Sequence, residues 1–89
     1  METIELPAVI NINSINELKG LFDEALLKKC DVIINGEAIK KADTASMQLI
    51  CAFNEKLKSE GHSMSWSKVS DECQNVAEIL GLKEILSIN

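Results

Sequence analysis

Four consecutive residues, Asp43-Thr44-Ala45-Ser46, set one carboxylate and two hydroxyls directly before an apolar pattern of helical period: Met47, Ile50, Phe53 or Asn54, and Leu57. Side-chain oxygens of Asp and Thr accept hydrogen bonds from the first unpaired backbone N–H groups of a helix, so the cluster predicts a helix start. A hydroxyl there stands at the positive end of the helix dipole, where an added phosphate is tolerated. Thr44 is therefore a candidate for phosphorylation, with Ser46 the second candidate hydroxyl. Phosphate would add about −1.5 to −2 charges. Beside Asp43 and Glu37 it would present a strongly hydrated dianion to any partner packed over the helix end. Binding would be lost while folding was kept. Two other roles compete: Thr44 as a plain N-cap, worth ~1 kcal/mol, or as a partner contact that is never modified. Asp43 reads as a cap first and as a contact for a partner or kinase second.

The remaining reactive side chains are dispersed. His62 stands alone after Gly61 and reads as a turn residue. Ser63, Ser65 and Ser67 alternate with Met64 and Trp66, the pattern of a strand with one wet serine face rather than of a nucleophile. Trp66 is either the largest core contributor or a surface anchor. Cys30, Cys51 and Cys73 are widely spaced, with no CxxC, and read as free thiols packed as small apolar residues. Lys40 and Lys41 fit a solvated loop that could orient an acidic partner. Met47, Leu49 and Cys51 widen the apolar arc beyond what a helix lying alone on a sheet needs, and fill either a core or a dry partner patch. No paired acid and base, metal cluster or glycine-rich phosphate loop is visible, so neither an enzyme nor a cofactor is expected.

The totals narrow the setting. With 89 residues there is room for one core, hence a single domain over 1–89. Apolar residues make up 46% and charged ones 26%, ordinary for a globular chain. Phe22, Phe53 and Trp66 are the only aromatics, so the core must be aliphatic. A formal charge of −5 argues against nucleic acid as a partner and against docking on an anionic membrane. No apolar run is long enough to span a bilayer, and METIELPAVINI lacks the basic region and cleavage site of a secretory signal. Direct membrane insertion is not expected. A cytoplasmic location is.

The elements that must position the cluster follow in order. Thr3 to Ile12 alternates in two pieces around Pro7, which suits a bend between short strands. Ser14 with Glu17 fits a capping box, and Ile15, Leu18, Leu21, Phe22, Ala25 and Leu26 then keep a 3.6-residue period closed by Lys28 and Lys29. Asp31 to Asn35 is a short β-branched run, the signature of a strand buried on both faces. After a connector anchored by Ala38-Ile39, the second helix runs from about Thr44 to Ser59 or Glu60, stopped by Gly61. A strand from His62 to Lys68 follows. Ser70-Asp71 caps a third helix with the stripe Val69, Cys73, Val76, Ala77 and Leu80, stopped by Gly81. Leu82, Ile85 and Leu86 predict a short covering helix. Strands separated by helices imply right-handed crossovers and parallel neighbours, and the N-terminal strand or hairpin is free to add an antiparallel member.

This order, together with Ala42-Asp43-Thr44-Ala45-Ser46-Met47-Gln48-Leu49-Ile50, resembles the STAS domain family of anti-sigma factor antagonists and their relatives. The family's most recognisable stretch runs apolar-Asp-Ser/Thr-x-Gly-apolar-x-apolar-apolar. Val32 to Asn35 falls at its central strand, and Leu80-Gly81-Leu82 at the Gly-Leu ending its third helix. The resemblance implies an α/β, STAS-type fold: a four- to five-stranded mixed, mostly parallel sheet with helices packed mainly on one face. It implies a partner-binding face of Asp43, Thr44, Ala45, Ser46, Met47 and Gln48, with a Ser/Thr kinase of the anti-sigma type as partner and Thr44 as its phosphorylation site. The Asp-Thr form also resembles STAS subunits of phospholipid-transport ABC systems, which implies an ABC ATPase as the alternative partner, and STAS proteins associated with chemotaxis. Ser46 replaces the usual Gly and adds a side chain that would crowd a docked partner. Asn35-Gly36-Glu37 also departs from the family's usual strand end.

Overall fold

The computed structural model describes residues 1–88. Its chain opens as a parallel double ribbon. β1 (Glu2–Glu5) pairs with β3 (Val32–Gly36), and β2 (Val9–Ile10) pairs with β4 (Lys41–Ala42). Both partners bend between their two pieces. Pro7, which has no N–H to donate, sits in one bend, and the backbone crosses it through Leu6 N–H to Asn35 C=O and Lys40 N–H to Ala8 C=O at 2.7 Å. β5 (Met64–Val69) completes a three-stranded sheet in the order β1-β3-β5.

Every pairing is parallel. The five strands thus form a sheet of three and a separate pair of two, with no antiparallel member among the described residues. The reason is the intervening helix: α1 (Ile15–Leu27) separates the first ribbon arm from the second, and a crossover returns the chain in the same direction.

The helices begin and end by local chemistry. α1 is entered through a 3₁₀ turn, Ile12–Ser14, capped by Asn11, whose side chain accepts from Asn13 N–H. Ser14 makes no cap for α1; its hydroxyl reaches back to Asn11, so the capping box forms one turn earlier than Ser14 with Glu17 predicts. α2 (Thr44–Ser59) ends at Gly61, φ +83°, where Gly61 N–H reaches Lys58 C=O and His62 N–H reaches Leu57 C=O. α3 (Asp71–Ile79) starts on Ser70 and ends the same way at Gly81. α4 (Lys83–Leu86) closes the fold.

One core lies on one face of the sheet. Sequential strand order with crossovers of the usual right hand places α1 and α2 on the same side. Ile4, Val32, Ile34 and Met64 point into it and are buried, together with Leu18, Phe22, Met47, Ile50, Phe53, Leu57, Cys73, Ala77 and Leu86. Burying an aliphatic side chain of this size stabilises by roughly 1.5–3 kcal/mol. Phe22 and Phe53 stack with ring centroids 4.3 Å apart and tie α1 to α2. The opposite row, Thr3, Ile33 and Ser65, faces outward, and Ile33 is half-buried. β3 is therefore covered on one face, not two. Its apolar run reflects strand propensity as well as burial. Ser63, Ser65 and Ser67 are exposed.

Candidate functional site

β2 and β4 run side by side and deliver two helix entrances to one place. Asn11 leaves the first strand and Asp43 the second. Asp43 is the N-cap of α2, its backbone extended (φ −116°, ψ 175°) as a cap requires. One carboxylate oxygen accepts the Ser46 N–H at 2.9 Å; the other accepts the Ile12 N–H at 2.8 Å, from the neighbouring entrance. Chiefly the Ser46 N–H, and with it the Ile12 N–H, holds the carboxyl below the usual Asp range, so Asp43 stands here as a fixed anion.

Ser46 closes the box from the other side. Its hydroxyl lies 3.0 Å from the Ile10 carbonyl and 2.9 Å from the Asp43 carbonyl, and it accepts the Asp43 N–H at 3.2 Å. It is fully buried. The side chain points into the fold, so it does not crowd a partner, contrary to what the departure from glycine implies. Its burial also leaves the second candidate hydroxyl out of reach of a kinase while the helix start is closed. Met47 is likewise fully buried in the core and offers a partner no surface.

Thr44 is exposed, one residue inside the cap. Because Asp43 caps the helix, Thr44 is the first helical residue rather than the N-cap. Gln48, one turn on, is exposed; Ala45 and Leu49 are half-buried. Of the six residues expected on the partner face, Thr44 and Gln48 are open, Asp43 and Ala45 half-open, and Ser46 and Met47 internal.

Two apolar residues that the alternation predicts on a strand are exposed, one on β2 and one in the turn that follows it. Ile12 is 61% exposed, and its N–H is held by Asp43; Val9 is exposed on β2 opposite Lys41. The only signal for them was an apolar pair three residues apart beside Asn11-Asn13. Lys40 and Lys41 are exposed. Among the described residues, no group of three His, Cys, Asp or Glu side chains could hold a metal ion. The thiols lie elsewhere: burial pushes Cys73 up to about 11 and also raises Cys51, so neither is a thiolate near neutral pH.

No family model, curated protein or solved structure matches the chain.

Proposed function

We propose that the chain is a non-enzymatic, STAS-type protein-interaction switch whose partner seats on Val9, Ile12, Thr44 and Gln48 beside the anionic Asp43. The observation that carries the reading is the division of labour at the start of α2. Asp43 and Ser46 lock the helix start, which leaves Thr44 exposed and, among the described residues, outside the capping hydrogen bonds. A phosphate on Thr44 would sit at the positive end of a 16-residue helix that does not depend on the threonine for its cap. The fold tolerates it. A partner covering Ile12 and Thr44 would instead have to bury a dianion next to Asp43, at a cost of several kcal/mol. A Ser/Thr kinase of the anti-sigma type fits as the partner that both binds this face and modifies it.

A second reading draws on Ile12 and Val9. Their apolar exposure also suits a standing contact, as with an ABC ATPase of a phospholipid-transport system, where Thr44 would be covered and never modified. Incubation with an anti-sigma-type kinase and ATP, read by intact mass and site mapping, separates the two. Phosphate on Thr44 with release of the kinase supports the switch. A stable complex with the ATPase that Ile12→Asp breaks, with no phosphate incorporated, supports the standing contact.

A further inference from the structure

We propose that the free edge of β1 is a docking site for an extended, alternately apolar and basic segment of a protein partner, which adds to the sheet as a fourth strand. This surface shares no residue with the Thr44 face and does not depend on the reading given to it. β1 is an edge strand, since the sheet order is β1-β3-β5. The N–H groups of Glu2 and Leu6 point to β3, bonding Asp31 and Asn35. By the two-residue period of a strand, the backbone groups of Thr3 and Glu5 point the other way, and among the described residues nothing pairs with them.

Beside that edge lies a cleft of about 350 Å³ between β1 and α1, lined by β1 itself and by Leu21, Glu24, Ala25, Leu27 and Lys28. Leu27 is 80% exposed and Leu21 is exposed as well. An added strand would place every second side chain toward this helix side, against Leu21, Ala25 and Leu27, where an apolar residue fits. Its alternate side chains would lie on the outer face beside Glu5. Glu5 is exposed on that outer face and faces them, so the occupant's charged residues must be basic, while Glu2, Glu24 and Lys28 lie on the helix side with the apolar positions. Main-chain pairing supplies affinity, and the alternating pockets supply selectivity, as in other strand-addition complexes.

The other edge is unsuited. β5 carries a register irregularity opposite Ile34 and Asn35 and presents Lys68, two devices that discourage strand addition. β1 has neither. If its glutamates serve only to repel neighbouring strands, no peptide will bind there.

The test titrates ¹⁵N-labelled protein with a short, end-capped alternating valine–lysine peptide, and with the same peptide N-methylated on the amides that would face the edge. The expected result is saturable shifts at Thr3, Glu5, Leu21 and Glu24, with slowed exchange of the Thr3 and Glu5 amides. N-methylation should weaken binding about tenfold or more, the loss of one or two backbone hydrogen bonds. Glu5→Lys, on the exposed outer face of β1, should weaken it by a similar factor. Thr3→Pro removes an outward N–H from an edge position that tolerates proline and should abolish binding. If that variant does not fold, the N-methylated peptide makes the same test on unaltered protein. Absence of saturable shifts, equal binding of the N-methylated peptide, or shifts centred on Ile12 and Thr44 would overturn the proposal.

Discussion

The carboxylate of Asp43 accepts from two backbone N–H groups that belong to different helix entrances, so its ionisation is coupled to the folded state. Its folded pKa lies below the unfolded value, near 3.9 for an ordinary Asp. The stabilisation is therefore present above the unfolded value and is lost as pH falls through the lower folded one. Asp43→Asn, which keeps a capping oxygen but not the charge, should flatten this part of the acid limb in a plot of urea midpoint against pH. An unchanged slope would mean that the charge is not coupled to folding. Ser46 and Thr44 form the complementary pair. Ser46→Ala leaves the Ile10 carbonyl with only the Asp43 N–H at 3.3 Å and removes half the box, and should cost about 1–2 kcal/mol, a fall in Tm of several degrees for a domain this small. Thr44→Ala should stay within about 0.5 kcal/mol. Equal losses would place Thr44 in the cap after all. The Asp43 cap was legible in the sequence. The role of Ser46 was not, because the familiar box has Glu or Gln at its third position, whereas here the short hydroxyl reaches the cap N–H and a neighbouring strand at once.

At the scale of elements, the C-terminal helix is held by two side chains from the core rather than by its own length. Four residues cannot sustain a helix alone. The buried Asn54 donates to the Ile85 carbonyl at 2.8 Å, and the indole N–H of Trp66 donates to the Leu86 carbonyl at 2.8 Å. Trp66 is thereby fixed over Gly36, where an added Cβ would lie 2.9 Å from its Cζ3 and 3.3 Å from Ile39 Cδ1. Gly36→Ala must move the ring and should cost about 1–3 kcal/mol, with a shift in the fluorescence of the one tryptophan. An unchanged spectrum and midpoint would show that the ring is not pinned. Periodicity made α2 readable almost to the residue, with Gly61 and Gly81 marking the stops. Periodicity says nothing about partners, however. That β1 pairs in parallel, that β2 and β4 form a pair of two residues each, and that Ile33 faces outward all follow from the crossovers and the bend at Pro7. An apolar run such as Val32-Ile33-Ile34 reads alike whether one face or both are covered.

For the molecule as a whole, one aliphatic core under three strands leaves the entrance of α2 at the surface as a rigid feature, fixed by hydrogen bonds to β2 and to the 3₁₀ turn before α1. No helix among the described residues is long and apolar enough to cross a membrane. With a formal charge of −5, the chain already repels acidic partners, and a phosphate on Thr44 would deepen that repulsion at one point. Under the proposed switch, this point governs binding without governing folding. The most direct measurement pairs wild type with Thr44→Glu, taking the melting temperature of each and its affinity for an anti-sigma-type Ser/Thr kinase. The proposed switch requires melting temperatures within about 3 °C of each other, since an exposed surface change shifts stability by less than about 0.5 kcal/mol, with affinity for the kinase lost by a factor of 100 or so. Unchanged kinase binding, or a variant that no longer folds, would contradict it.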